Sequence, residues 1–289
     1  MRPTLLAAAI ASLTSLAAAG PKPKVPHPMT DTSPSGAGPT GKATTCGVKV
    51  LPLAVGNQWT YSMVPSPVPP DDQIKRLAPK QPSTVVITVK TIVAGAKGAD
   101  TVVTLEEKST TDLTSDPKKP ILDEHTITST ITCNVKKFDI SPESFFFAGE
   151  PGGYIGLKLD GVDRKNTSWV LTNGGIGEGQ WREDLKATWT RLPHEGSEAK
   201  LGTGKIELER QFTPQPPESI STKAGAYTAE KLGLITTGRI TLDNPAPDTK
   251  PMELPANWVT TIWVAPGAGV VQTLNPYAHM YQLSAATLK

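Results

Sequence analysis

This sequence has few of the residues that hold metals or carry redox chemistry. Its 289 residues include two cysteines and four histidines. No His-x-His, His-x-x-x-His or Cys-x-x-Cys pair occurs, although metal and redox sites commonly use such spacings. A Gly-x-Ser-x-Gly nucleophile elbow is absent as well. These absences predict a protein that has no metal or other cofactor and is not an enzyme.

Neither sign of charge is in excess. Lysine and arginine total 29 and aspartate and glutamate total 27, which gives a formal net charge of +2. Nucleic-acid binding usually needs a strongly basic surface, so we expect no nucleic-acid partner. Beyond residue 19 no apolar run reaches the roughly 18 residues of a membrane-spanning helix. We therefore expect no transmembrane segment after the N-terminal region.

Residues 1–19 have the composition of an export signal. Arg2 supplies a basic start, an Ala- and Leu-rich run follows, and Ala17 to Ala19 are small residues suited to cleavage. A buried N-terminal helix is the alternative. No cysteine stands at the cleavage point, which predicts a soluble protein of the periplasm or medium rather than a lipid-anchored one.

Composition divides the remainder into two parts. Residues 20–45 are rich in Pro, Gly, Ser and Thr and have almost no large apolar side chains, which predicts a disordered tether. Residues 46–289 are predicted to form a single β-rich domain. Cys46 and Cys133 are predicted to form a disulfide, because an exported chain with two cysteines most simply pairs them. Two unrelated thiols are the alternative.

Alternation of apolar and polar residues runs through most of the chain. Segments 83–94 and 99–110 are β-branched and predict a hairpin, and 257–275 predicts two strands joined by a turn. The run SFFFAG at 144–149 predicts a strand that is buried on both faces or has one face lining a cavity. Segments 71–78 and 224–233 are the best helix candidates, and the second could equally be a strand. We expect a mainly β fold with a large antiparallel sheet and few short helices.

Three tryptophans surround a Gly-rich segment, and aromatic side chains exposed on a sheet can stack on sugar rings. These possible ligand-stacking residues are Trp169, Trp181 and Trp189. The alternative is that they cover the edge of the core.

Two segments, PLAVGNQWTY at 52–61 and WVAPGAGVV at 263–271, resemble the opening and closing signatures of the TapB-like or DUF3108-like families of exported bacterial proteins. The matching residues are Pro52, Gly56, Asn57, Trp59, Tyr61, Trp263, Pro266, Gly267 and Gly269. The resemblance implies an envelope or secreted location, a curved half-barrel or barrel-like sheet, and no established activity. A looser similarity to lipoprotein-carrier half-barrels implies an apolar ligand.

Together these observations predict a noncatalytic protein of the bacterial cell envelope that binds a lipid or other apolar ligand, or a protein partner. A carbohydrate-binding or matrix protein using the three tryptophans is the alternative. A hydrolase with an unrecognised carboxylate pair is the third hypothesis.

Overall fold

The computed structural model describes most of the chain beyond residue 50. The described residues are 38, 51–67, 81–95, 100–134, 138–148, 157–165, 181–191, 202–243, 251–275 and 277–289. The predicted signal, Cys46, the 71–78 helix candidate and Trp169 lie outside these residues. The predicted tether does too, except for Gly38.

Twelve strands and one short helix make up this part of the chain. They are β1 (Gln58–Val64), β2 (Thr84–Val93), β3 (Thr101–Asp112), β4 (Leu122–Cys133), β5 (Phe138–Ile140), α1 (Phe145–Ala148), β6 (Leu157–Lys165), β7 (Trp181–Arg191), β8 (Thr203–Thr222), β9 (Gly225–Leu242), β10 (Met252–Ala265), β11 (Gly269–Leu274) and β12 (Met280–Thr287). The 224–233 segment lies almost entirely in β9.

All twelve strands belong to one antiparallel sheet. Its order is β5-β4-β3-β2-β1-β12-β11-β10-β9-β8-β7-β6. The chain therefore runs outward from the centre to β5, crosses to the other edge at β6, and returns strand by strand to the centre. The predicted fold class, a mainly β protein with a large antiparallel sheet and little helix, is confirmed.

The sheet curves strongly. Twelve strands spaced about 4.8 Å apart would place β5 and β6 roughly 50 Å from each other in a flat sheet. In the structure Arg164 on β6 contacts both Asp139 and Ile140 on β5. The two edge strands, β5 and β6, are thus close enough for a side chain of one to contact the other, although their described residues form no ladder with each other.

One face of the sheet, which we call the inner face, carries the core. On β1 it holds Trp59 and Tyr61, both fully buried. The phenylalanines of α1 pack against them, with Phe146 edge-on to Trp59 at 5.2 Å between ring centroids and Phe145 4.4 Å from Tyr61. The alternating burial along each strand follows from this single covered face.

One local prediction is wrong. The SFFFAG run forms α1 rather than a strand, because buried side-chain oxygens of Ser144 and Glu107 accept its first N–H groups. On β6 a register shift between Asp160 and Asp163 accommodates extra residues. Met63, near the end of β1, is 38% exposed.

Candidate functional site

The inner face of β7 to β10 carries a block of apolar residues that we call the apolar panel. Cross-strand register aligns its members in three rows of four, and residues opposite each other in a sheet project from the same face. The rows are Trp189, Gly204, Leu242 and Met252; Ala187, Ile206, Ile240 and Leu254; and Leu185, Leu208, Gly238 and Ala256. The panel contains no polar side-chain atom except the indole nitrogen of Trp189.

In the rows that end at Met252 and Leu254, exposure increases from β7 to β10, whereas Ala256 at the end of the third row is buried. Leu185 and Ala187 are buried, whereas Leu254 and Met252 are 47% and 51% exposed. The described part of β11 pairs with β10 only from Thr261 onward, so the first half of β10 has β9 as its one strand neighbour among the described residues. The β10 side is therefore where a ligand could reach the panel.

Glycine at one panel position fixes the place of the Trp189 ring. A Cβ added at Gly204 would lie 2.7 Å from Trp189 Nε1 and 1.8 Å from the Thr241 carbonyl oxygen. The indole N–H donates to that same carbonyl over 3.1 Å. Trp189 is thus 9% exposed and has its polar atom satisfied. Its ring is therefore a buried part of the panel.

A group of buried and partly buried charges borders the panel on the side of the core. Glu183 on β7 and Arg210 on β8 are in register on the inner face and form an ion pair with 3.4 Å between oxygen and nitrogen. Glu183 also accepts a hydrogen bond from Nε of Arg164 on β6. Arg164 in turn donates to the carboxylate of Asp139 on β5. The described members of this charge cluster are two cations and two anions.

The charge cluster also holds the C-terminal end of α1. The Arg210 guanidinium lies 3.7 Å from the Phe147 ring centroid and the Arg164 guanidinium 4.9 Å from it. Arg210 also donates to the Phe147 carbonyl oxygen over 3.5 Å. Guanidinium groups over an aromatic face are attracted to the ring electrons. Phe147, a member of the core, is therefore held by both guanidinium groups.

One atom of the charge cluster has no hydrogen-bond partner among the described residues. Nη2 of Arg164 is buried and makes no hydrogen bond with any described residue. Its neighbours Nε and Nη1 are both used, by Glu183 and by the β5 groups. Buried polar atoms are nearly always hydrogen-bonded, so an exception calls for an explanation.

A second buried acid holds the other end of α1. The Glu107 carboxylate accepts hydrogen bonds from the hydroxyls of Ser129 and Ser144, the latter over 2.6 Å, and from the Phe145 N–H over 2.9 Å. Burial raises the pKa of the Glu107 carboxyl, and these hydrogen bonds oppose that rise. Its contacts are structural ones: two hold the start of α1 against β3, and the third joins β3 to β4.

The two signature segments lie against each other. Trp59 donates from its indole to the Ala268 carbonyl over 2.7 Å, and the Tyr61 hydroxyl donates to Val270 over 2.8 Å. Asn57 donates from its side chain to the Pro52 carbonyl over 2.7 Å. Gly56, Gly267 and Gly269 have positive φ angles, and Trp263 donates to Glu218. These contacts give the signature residues structural positions away from the apolar panel.

The outer face of β6 to β9 has a charged cleft of about 380 Å³. Arg182 pairs with both Asp184 and Glu209, and Glu207 pairs with Arg239. The Arg239 hydrogen bond lowers the pKa of the Glu207 carboxyl. Exposed pairs of this kind are common on strand surfaces and contribute little to stability. Because these charges are matched in pairs, the cleft has little net attraction for a charged ligand.

Other predicted features have limited structural information. Trp181 lies on β7 in register with Phe212, but its side chain is outside the described residues. Cys133 is buried at the end of β4; since Cys46 is not described, the disulfide stays a prediction. In the ranges given above, no group of three or more His, Cys, Asp or Glu side chains is placed to hold a metal ion. Those ranges also include no helix with the length and apolar character needed to cross a membrane.

The charge cluster and the apolar panel were missed in the sequence, although a signal was present. Glu183 falls at the same alternation as Leu185 and Ala187, and Arg210 falls at the same alternation as Leu208 and Phe212. A charged residue at a core position of an otherwise apolar alternation predicts a buried ion pair.

Comparison with known proteins gives two distant structural likenesses. No protein-family model matches the chain, and no curated protein matches it. A predicted exported protein with a YmcC-like fold from Bacteroides fragilis is 13% identical with a TM-score of 0.43, over 83% of this chain and 99% of that one. A predicted lipoprotein from Parabacteroides distasonis is 11% identical with a TM-score of 0.47, over 82% and 97% of the two chains. The resemblance to the TapB-like or DUF3108-like families stays a prediction.

Proposed function

We propose that this protein is an exported, noncatalytic binding protein that takes up an apolar ligand on the apolar panel. The observation that carries the proposal is the half-exposed pair Leu254 and Met252, which continues an apolar surface that is buried on β7 and half-buried on β9. Apolar area that remains in contact with water on a curved sheet favours binding of an apolar molecule. The predicted export is part of this proposal.

The buried acids support a noncatalytic role. Glu107 and Glu183 are the inner-face carboxylates next to the core, and each is occupied by hydrogen bonds to the protein itself. A general acid or base must reach a substrate atom directly or through one water. In this proposal both carboxylates hold α1 and the sheet in place.

The carbohydrate alternative is not favoured by the one stacking candidate whose side chain is described. Trp189 is 9% exposed, and its indole N–H is bonded to the main chain. A sugar-stacking tryptophan needs an open ring face, so the apolar-ligand proposal is the stronger of the two.

The proposal is tested with two substitutions on one strand. Leu254 projects from the inner face of β10, whereas Val259, 55% exposed, projects from the outer face five residues later. The probe is N-phenyl-1-naphthylamine, a neutral apolar fluorophore whose emission rises when it leaves water. We expect saturable binding to the parent protein and to Val259→Asp. For Leu254→Asp we expect affinity at least about tenfold weaker, because a carboxylate facing an apolar ligand must be desolvated.

Equal weakening in both variants would show that the probe binds elsewhere. The absence of saturable binding to the parent protein would overturn the proposed function.

A further inference from the structure

The end of the hairpin formed by β3 and β4 exposes three large apolar side chains. The connection between the strands and the first residue of β4, residues 113–122, form what we call the hairpin tip. Leu113, Ile121 and Leu122 are 41%, 53% and 60% exposed. The Leu113 N–H donates to the Ile121 carbonyl over 2.8 Å, which continues the ladder by one pair, so these two side chains project from one side of the hairpin and Leu122 from the other. Apolar side chains therefore lie on both sides of the tip.

The backbone of the hairpin tip needs few hydrogen bonds from solvent. Pro117 and Pro120 have no N–H group to satisfy. Removing an N–H group from water is costly unless it already has an acceptor. Because most donors of the tip have acceptors within the hairpin, the tip could enter a less polar medium at low cost to its backbone. The N–H groups that donate in this way are those of Leu113, Thr114, Lys118, Lys119 and Ile121.

The size of the hairpin tip suits a lipid bilayer better than a protein partner. A stable protein interface takes roughly 800 Å² and about 20–30 residues from each partner. Three apolar side chains at the end of one hairpin are too few for that. A bilayer surface has no fixed shape to match, and apolar side chains that protrude from a protein become buried at the boundary of its head groups and acyl chains.

Charged side chains of the tip fit the same surface without providing the attraction. Lys118 and Lys119 are exposed at the turn, and long lysine side chains keep their ammonium groups in water while apolar neighbours lie deeper. The carboxylates of Asp112 and Asp116 accept N–H groups of the tip, so acids lie beside these lysines. Apolar contact rather than net charge would therefore hold the tip at the bilayer.

We propose that the hairpin tip is a membrane-contact site, at which Leu113, Ile121 and Leu122 enter the interfacial layer of a lipid bilayer. The tip connects β3 and β4, whereas the apolar panel belongs to β7 to β10, so this is a second surface and goes beyond the proposed function. It would keep the protein close to a membrane through a reversible contact.

Two substitutions at opposite ends of β3 test the inference. Ile121→Asp places a carboxylate at the tip. Val93→Asp is the control, because Val93 is 63% exposed and pairs with Val102 at the other end of β3, roughly 33 Å from the tip at 3.3 Å per residue. Binding is measured by flotation with vesicles of palmitoyl-oleoyl phosphatidylcholine. The protein is purified after export, and its N-terminus is determined by mass spectrometry, so that an uncleaved signal is not mistaken for the tip.

The parent protein and Val93→Asp are expected to bind these vesicles equally. For Ile121→Asp we expect a partition coefficient about tenfold lower, because the carboxylate must be desolvated. Binding of the parent protein should persist in about 0.5 M NaCl, since salt screens charges and not apolar contact.

A fluorescent variant locates the contact. Leu122→Trp adds an indole to the tip, and Val93→Trp adds one at the far end of β3. The emission that each substitution adds is obtained by difference from the parent protein. With vesicles of brominated phosphatidylcholine, we expect the added emission to be quenched in Leu122→Trp and unchanged in Val93→Trp.

The remaining outcomes would overturn the inference. They are an absence of vesicle binding by the parent protein, equal weakening in Ile121→Asp and Val93→Asp, equal quenching of both added tryptophans, and binding that is lost at high salt. Self-association that Ile121→Asp abolishes, without vesicle binding, would assign the tip to a second copy of the chain instead. The proposed function is tested separately, by dye binding to β10 variants.

Discussion

Nη1 of Arg164 donates a hydrogen bond to the backbone carbonyl oxygen of Ile140 over 2.9 Å. This contact joins β6 to β5, the two strands at opposite ends of the sheet order. A side chain links these two strands, whereas the other neighbouring strands of the sheet are linked by backbone hydrogen bonds. The charge cluster therefore has two structural tasks, because it joins the sheet edges and also holds α1.

Removing the shared carboxylate of the cluster is expected to be severely destabilising. Glu183→Gln leaves the buried guanidiniums of Arg164 and Arg210 without their common anion, which we expect to lower the free energy of unfolding by roughly 3–5 kcal/mol. Glu209→Gln, which removes an exposed partner of Arg182, should lower it by less than about 1 kcal/mol. Urea denaturation of both variants provides the comparison. Similar small losses would contradict the importance of the cluster.

Stability should depend on pH through Glu107. Burial raises the pKa of this carboxyl in the folded protein above its ordinary value of 4.5. The folded state therefore binds the proton more tightly, so this group's contribution is complete below the ordinary value and is lost as pH rises through the raised pKa. In Glu107→Gln the side chain stays neutral at every pH. We expect the variant to gain stability relative to the parent protein as pH rises.

The measurement is urea denaturation of the parent and Glu107→Gln proteins at a series of pH values from 4 to 8. Glu106→Gln is the control, because Glu106 is the preceding residue on β3 and faces outward toward Lys90. That control should follow the parent protein across the series. A stability difference between the parent protein and Glu107→Gln that does not change with pH would contradict the prediction.

A methyl group at Gly269 should disturb the contact between the two signature segments. Gly269 has φ +84°, and an added Cβ would lie 2.5 Å from Leu51 Cδ1. Gly161 has φ +60° with nothing within 4 Å of the added atom, so it isolates the backbone strain. We expect Gly161→Ala to lower the free energy of unfolding by about 1–2 kcal/mol. Gly269→Ala should lower it by a further 1–3 kcal/mol, roughly the effect of overpacking. Equal thermal and urea midpoints in the two variants would contradict this.

Period-two alternation predicted most of the sheet from the sequence, because one covered face imposes that pattern on every strand. The residues at 144–149 were misassigned, since three successive phenylalanines fit a strand buried on both faces as well as a short helix inside a core. What decides between them is the hydrogen bond from Phe145 to Glu107, 38 residues away. Local sequence contains no information about such a partner.

The candidate site was harder to predict than the fold. The panel exists because residues on four strands align in register. Arg164 reaches Asp139 and Ile140 on β5 only because the sheet curves until β6 comes near β5. Strand order and curvature are properties of the whole sheet. Trp189 was predicted as a possible ligand-stacking residue because tryptophan rings stack on ligands. In the structure its side chain is 9% exposed.

The pairing of β1 with β12 at the middle of the sheet affects how the protein can fold. Gln58 lies opposite Thr287, so the central ladder joins segments almost at the limits of the described chain. Hairpins such as β8–β9, with short turns, involve little loop-closure entropy and can form early. The central ladder has high contact order, which slows folding. We therefore expect β1 and β12, the inner edge strands of the two halves, to lack a partner on one side until they pair with each other.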